Sequence, residues 1–335
     1  GQCTLGSVKS NVGHLLTGAG AAGLIKVLLA MREGVLPPTA NFTGAGDDID
    51  LASGPFTVRS EASPWPRRDG DTPRRAAVSG FGFGGTNAHV LPGEFTQPAA
   101  RPVVSKQGPT DDVVIVGMGA CCGPWTDLEA LRPRLLGDDV EVKTSAKQSF
   151  WGVEDPPLGW FVERVEIPRG RFRIPPKEMA ETLPQQLLML EVARQALADQ
   201  VSASTDPLRT GVFIGIGLDL NTTNYHLRWS MRRRSANVAA ALGIPDRGPE
   251  FDAWVDSACD GLGPALNANR VMGNLGGIVA SRVAREFGIG GPSYVLSTEE
   301  SSGLTALEAA TRNLQSCDLD CALVGAVDPE LDSTA

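Results

Sequence analysis

Residues 293–310 read SYVLSTEESSGLTALEAA, and this stretch decides how we interpret the fold. Its start, SYVLS, predicts a short strand, and the apolar period that follows predicts a helix from about Glu300 to Gln315. The next apolar run, CALVGAVD at 321–328, predicts another strand. Strands that alternate with helices favour an α/β layered fold with buried strands.

The same alternation extends upstream along the chain. LPQQLLMLEVARQALADQ, at 183–200, predicts an amphipathic helix; TGVFIGIG, at 210–217, predicts a buried strand; and NLGGIVASRVAREFG, at 274–288, predicts another helix. VVIVGMGA, at 113–120, predicts a further short buried strand. We therefore predict an α/β fold with layered helices and buried strands.

Composition and charge argue against several classes of function. The 335 residues carry a formal net charge of −9 and the sequence pI is about 5.0, so a basic footprint for nucleic acid or an anionic membrane is missing. Apolar runs such as LIKVLLAM, at 24–31, are far shorter than the roughly 20 residues of a membrane span, and the amino-terminal residues lack the pattern of a secretion signal. We expect a cytoplasmic protein with no nucleic-acid partner and no membrane span.

Metal and dinucleotide binding find little support in the residues. Six scattered cysteines and three histidines offer no set of about four ligands at the spacing of a zinc site. VVIVGMGACCG, at 113–123, places glycines after a predicted strand, but their spacing departs from the dinucleotide-binding pattern and no fitting acidic strand end follows. We expect no metal and no bound cofactor.

One predicted linker divides the chain into two segments. Residues 96–112, TQPAARPVVSKQGPTDD, are rich in proline and small polar residues and lack an apolar period, which predicts an exposed linker. Upstream of it we predict a helix from about Gly18 to Arg32 and a strand-like stretch dense in glycine, RRAAVSGFGFGGTNAHVL at 74–91. The predicted organisation is an upstream domain over 1–94, a linker over 95–111 and a downstream domain over 112–335.

Several of these strings resemble motifs of one family. GSVKSNVGHLLTGAGAAGLIKVLLA, at 6–30, and VSGFGFGGTNAHV, at 78–90, resemble the carboxy-terminal half of β-ketoacyl synthases, the condensing domains of fatty-acid and polyketide synthases. The downstream strings resemble the amino-terminal half in the family's usual order: VVIVGMGA, FRIPPKEMAETLPQQLLMLEVA, TGVFIGIG and REFGIGGPSYVLSTEESSGLTALEAA. The resemblance covers most of the chain and implies a thiolase-like, layered αβαβα fold.

The order of the motifs is unusual for a single condensing domain. The carboxy-half motifs precede the amino-half motifs, and the family's intervening HGTGT-like loop is absent from the sequence. A circularly permuted domain should retain that loop. We therefore interpret the chain as the junction of two tandem domains, with the C-terminal part of one followed by the N-terminal half of the next, each a partial domain.

The resemblance implies a decarboxylative condensation of acyl groups held on the phosphopantetheine arm of an acyl carrier protein. His14 matches a catalytic histidine of the family's lysine-to-histidine loop, and Lys9 matches its supporting cation. Asn11 matches an amide that fixes this loop, and Phe81 and Phe83 resemble the gating loop beside the acyl pocket, so these three are candidate substrate-binding residues. A polar loop histidine without a catalytic task and plain core aromatics are the alternatives.

The downstream segment departs from the family pattern at the nucleophile. Where a condensing domain reads something like DTACSSSL, residues 297–304 read STEESSGL, so Glu300 stands at the position of the cysteine. This resembles a chain-length factor, the catalytically silent partner of a ketosynthase, of the kind found in polyunsaturated fatty-acid synthases. The structural alternative is a capping box, in which Ser297 and Glu300 bond the first turn of the helix. The buried stripe of that helix would then comprise Leu304, Leu307, Ala310 and Leu314.

Two functions stay open at this point. The chain is a segment of a ketosynthase and chain-length-factor pair that supports condensation of malonyl-carrier with a growing acyl chain, and the parent protein is an acyltransferase. Alternatively, its downstream part is a non-catalytic dimerisation and pocket-shaping module, or a malonyl-decarboxylase-like domain. The expected partners are an acyl carrier protein and a second condensing domain, in a pseudo-dimer or a homodimer. We expect this chain alone to be inactive.

Overall fold

The computed structural model describes residues 3–51, 53–82, 86–95, 112–137, 160, 162, 165–201, 206–217, 221–243 and 248–328, without the side chains of 17 and 221–224. The chain divides into two compact units, Gly1–Gln107 and Gly108–Ala335, which we call the upstream unit and the downstream unit. Each is described by itself below. Residues 96–111 of the predicted linker lie outside the described residues.

The described part of the upstream unit combines pairs of short strands with helices. The strands are β1 (Cys3–Leu5), parallel to β3 (Phe56–Val58); β2 (Val35–Leu36), antiparallel to β4 (Ser63–Pro64); and β5 (Val78–Phe81), antiparallel to β6 (Asn87–Val90). The helices are α1 (Lys9–Val12), a 3₁₀ turn at Leu16–Gly18, and α2 (Ala19–Glu33).

Helix α2 forms where its small and apolar residues predict it. It ends at Gly34, whose φ of 65° is the left-handed conformation that commonly terminates a helix. Its packing against β5 is close, because a Cβ atom at Gly23 would lie 3.4 Å from Val78 Cγ1. Ala30 and Met31 are buried. α2 therefore supports both the loop that precedes it and the β5–β6 hairpin.

The downstream unit contains a parallel three-stranded sheet with helices on both faces. In chain order its described elements are α3 (Leu128–Leu135), α4 (Pro176–Ala180), α5 (Pro184–Asp199), a 3₁₀ turn at Pro207–Arg209, β7 (Thr210–Ile216), α6 (Asn221–Ala241), α7 (Pro249–Gly261), α8 (Ala268–Asn274), a 3₁₀ turn at Gly276–Ile278, α9 (Val279–Phe287), β8 (Ser293–Leu296), α10 (Ser302–Gln315) and β9 (Cys321–Val327). The strand order is β8-β7-β9. In the described part of the chain, no helix is both long and apolar enough to span a bilayer.

Strand β7 is the centre of this sheet and its side chains alternate between two cores. Val212, Ile214 and Ile216 pack with buried residues of α5 and α9. Phe213 points to the other face and packs with Ala306 and Ala310 of α10. Every residue of β7 is buried, as expected for the central strand of a sheet covered on both faces. The predicted alternation of strands and helices is confirmed here.

Helices α6 and α7 form a hairpin held by ion pairs. Arg228 Nη1 lies 2.6 Å from Asp260 Oδ1, and Arg232 Nη2 lies 2.5 Å from Asp256 Oδ1. Cys259 is buried in the same contact and its thiol donates to the carbonyl of Arg228 at 3.5 Å. The basic side of α6 thus faces the acidic side of α7.

The buried strand predicted at 113–120 is wrong. This segment forms no strand ladder in the structure, and Val114 and Ile115 are more than 70% exposed. The amides of Met118 and Ala120 instead donate to side chains of α5, namely Asp199 at 2.9 Å and Gln195 at 3.2 Å. A cavity of about 170 Å³ is lined by part of this segment and by residues of β9. Because its amides donate to side chains of a helix, the segment is not part of a strand ladder that would bury it.

The buried stripe predicted for α10 is wrong at two of its four positions: Ala310 is buried and Leu314 packs against the same core, but the other two residues are not buried. Leu304 is 73% exposed and Leu307 is 46% exposed. The face that packs on the sheet carries the small residues Ser302, Ala306 and Ala310, at the i, i+4, i+8 spacing of one helix face. Small side chains let the helix approach the strands closely, and Leu304 and Leu307 are therefore turned away from the sheet.

Candidate functional site

In the upstream unit, Lys9, Asn11 and His14 lie together in the loop and short helix before α2. Lys9 is the first residue of α1, and its backbone amide donates to Ser7 Oγ at 3.2 Å. The His14 ring accepts a hydrogen bond at Nδ1 from the amide of Leu16 at 2.9 Å. In a neutral ring this places the proton on Nε2, which leaves an N–H donor on the exposed edge of the imidazole. Among the described residues, no hydrogen bond joins Lys9 to His14.

Lys26 of α2 organises this loop and was missed by the sequence reasoning. Its Nζ donates to the carbonyl of Ser7 and to Asn11 Oδ1, both at 3.1 Å, and to the carbonyl of Pro38 at 3.4 Å. Burial lowers the pKa of the Lys26 ammonium. The available signal was a lone lysine inside the apolar run LIKVLLAM. Asn11 thus contacts the ammonium group of Lys26.

The β5–β6 hairpin carries the candidate gating aromatics. Phe81 is 78% exposed and stands at the end of β5, paired with Asn87. Phe83 lies outside the described residues. His89 Nδ1 lies 2.8 Å from Ser79 Oγ across the hairpin, so that this imidazole braces the two strands. Gly82 and Thr86 approach each other closely: the Gly82 amide donates to the Thr86 carbonyl at 2.9 Å, and a Cβ atom at Gly82 would lie 2.7 Å from that oxygen.

An arginine pair fixes the end of the same hairpin. Glu94 accepts two hydrogen bonds from Arg67, both at 3.0 Å, and a third from Arg74 Nη1 at 2.6 Å. The Arg74 backbone amide donates to it as well, at 3.1 Å. The hydrogen bonds from Arg67 and then Arg74 lower the pKa of Glu94 to about 2. Arg74 also donates to the carbonyl of Trp65 at 2.6 Å, which ties the hairpin to the β4 region.

In the downstream unit, Glu300 lies in the turn between β8 and α10. The preceding residue, Glu299, has a φ of 55°, which a residue with a side chain rarely adopts. Ser302 fixes the turn, because its Oγ accepts from the Thr298 amide at 2.9 Å and donates to the Glu299 carbonyl at 2.5 Å. Glu300 is exposed and, among the described residues, its side chain forms no hydrogen bond. Its carboxylate is therefore accessible to a molecule that approaches the start of α10.

The capping box predicted from Ser297 and Glu300 does not form. α10 begins at Ser302, two residues later than expected, and Ser301 occupies the cap position without a side-chain bond to the first turn. Within the part of the chain described, Ser297 makes no hydrogen bond to that turn either. The physical reason is the tight turn itself, in which Ser301 donates back to the Thr298 carbonyl at 2.8 Å.

The described cysteines all lie away from Glu300 along the chain. Cys317 and Cys321 follow the far end of α10, whose 14 residues span about 21 Å. Cys259 is buried between α6 and α7. No thiol of the described residues is therefore positioned by the β8–α10 turn.

The sequence of the chain matches models of a known protein family. The family model "Beta-ketoacyl synthase, N-terminal domain" matches residues 110–335, and the "Beta-ketoacyl synthase, C-terminal domain" matches residues 1–43. Because the first match covers more than half of the chain, the chain belongs to the β-ketoacyl synthase family. The predicted thiolase-like α/β fold and the resemblance read from the motifs are confirmed, with the C-terminal match preceding the N-terminal match.

Particular relatives narrow the likeness to ketosynthase and chain-length-factor proteins. The solved structure titled "PfaC Keto synthase-Chain length factor" is similar over 95% of this chain and 34% of its own, at 27% identity and a TM-score of 0.76. A polyunsaturated fatty acid synthase component of a Thraustochytrium species is 31% identical over 96% of this chain. A phenolphthiocerol/phthiocerol polyketide synthase component of Mycobacterium tuberculosis is 53% identical over 27% of this chain. The chain spans 16% and 6% of the lengths of these two synthase components.

Proposed function

We propose that this chain belongs to a fatty-acid or polyketide synthase and that its downstream unit acts as a catalytically silent, chain-length-factor-like partner of a ketosynthase. The observation that carries the proposal is Glu300, which occupies the turn between β8 and α10 where the family resemblance expects the nucleophilic cysteine. The domains would divide at the linker predicted over 95–111. The partner role would be to shape and cap the acyl pocket of a second condensing domain.

The chemistry of a carboxylate supports a silent role. A condensing nucleophile must attack a thioester and hold the acyl group, and a thiolate does this well. A carboxylate attacking the same thioester would form a mixed anhydride, which water hydrolyses readily and which is a poor storage form. The turn itself, residues 297–302, contains no cysteine that could replace the missing nucleophile.

The upstream unit would contribute acid–base residues to an intact condensing domain. His14 presents an Nε2–H donor, because Nδ1 accepts from the backbone, and such a donor suits the stabilisation of an enolate or oxyanion. Lys9 would add positive charge, and Phe81 and Phe83 would gate the acyl pocket. The substrates would be malonyl and growing acyl groups on the phosphopantetheine arm of an acyl carrier protein.

Acyl loading tests the proposal. The full chain is incubated with an acyl thioester of phosphopantetheine, and the peptides are examined by mass spectrometry. We expect no acyl adduct on the β8–α10 turn. Glu300→Cys, which introduces a thiol at the start of α10, is the positive control and should acquire the adduct. An adduct on wild-type Glu300 would refute the silent role.

A decarboxylation assay separates the alternative. Glu300→Gln keeps the shape of the side chain and removes its charge, and we expect the same release of carbon dioxide from malonyl thioester as with the wild type. If Glu300→Gln abolished decarboxylation while the melting temperature stayed unchanged, Glu300 would be doing chemistry and the decarboxylase-like alternative would replace the proposal.

A further inference from the structure

We draw no further inference here: the strongest candidate, the cavity of about 170 Å³ that Val116 and Gly117 line together with the start of β9, carries nothing because the chain spans only 34% of the solved structure that it matches and nothing in the structure shows what fills the cavity.

Discussion

Gly215 in β7 offers the sharpest test of how the Glu300 turn is built. A Cβ atom added at Gly215 would lie 2.5 Å from the Gly303 nitrogen and 2.5 Å from the carbonyl carbon of Ser302. Both are backbone atoms at the start of α10 and cannot rotate away. Gly215→Ala must therefore push α10 off the sheet or distort the turn, and overpacking of this kind costs about 1–3 kcal/mol.

Two other glycines of the same unit provide matched controls. A Cβ atom at Gly325 would also lie 2.5 Å from its nearest neighbour, but that neighbour is Met189 Cε, the flexible tip of a side chain. Gly325→Ala should cost less than Gly215→Ala, because methionine adapts to extra volume. A Cβ atom at Gly277 would meet nothing within 4 Å, so Gly277→Ala should change stability by less than about 0.5 kcal/mol.

Thermal unfolding of the full chain, followed by circular dichroism, measures this series. A loss of about 2 kcal/mol lowers the melting temperature by roughly 4–8 °C in a domain of 150–250 residues. We expect the melting temperature of Gly215→Ala to be lower than that of Gly325→Ala. That of Gly325→Ala should in turn be lower than that of Gly277→Ala. If Gly215→Ala melted together with Gly277→Ala, the close contact between β7 and the start of α10 would not exist, and our description of the turn would be refuted.

Two predictions concern the upstream unit. Because the hydrogen bonds from Arg67 and Arg74 lower the pKa of Glu94 to about 2, the stability that Glu94 adds over Glu94→Gln should be complete above pH about 4.5 and should shrink as the pH falls towards 2; an equal difference in urea midpoints at pH 7 and pH 3 would contradict this. Lys26→Met keeps the length of the side chain but removes its hydrogen bonds to the loop, so amide exchange at Val12 and Gly13 should speed up about tenfold for each 1.4 kcal/mol lost. Lys9→Met is the control and should leave that exchange unchanged.

The periodicity of the sequence predicted much of the downstream unit. α5, β7, α9, β8 and β9 lie where their apolar patterns place them, because a buried strand and an amphipathic helix each have a period that is local to the segment. Local periodicity does not show which other segment of the chain packs against a given strand or helix. The apolar run at 113–120 reads as a buried strand, yet its amides bond to α5. Burial of a strand depends on a ladder elsewhere in the chain, which its own residues do not encode.

The same limit explains the errors at the candidate site. Leucine at positions 304 and 307 suggests a buried stripe, but close approach of α10 to glycine in β7 selects the alanine face instead. Ser297 and Glu300 have the spacing of a capping box, whereas the left-handed φ of Glu299 starts the helix later. Lys26 looks like a stray charge in an apolar run until its three oxygen partners are seen. Each error arises from a contact between segments distant in sequence or from one unusual backbone angle.

The turn that carries Glu300 is built by the residues around it rather than by Glu300 itself. Ser302 holds both the Thr298 amide and the Glu299 carbonyl, and Gly215 leaves room for the start of α10. Because none of these contacts uses the side chain at position 300, a carboxylate can stand there in place of a thiol without loss of the turn. A domain that keeps this geometry but lacks the reacting sulfur can still pack against a neighbour and cover its pocket, and this is the physical basis of the partner role that we propose.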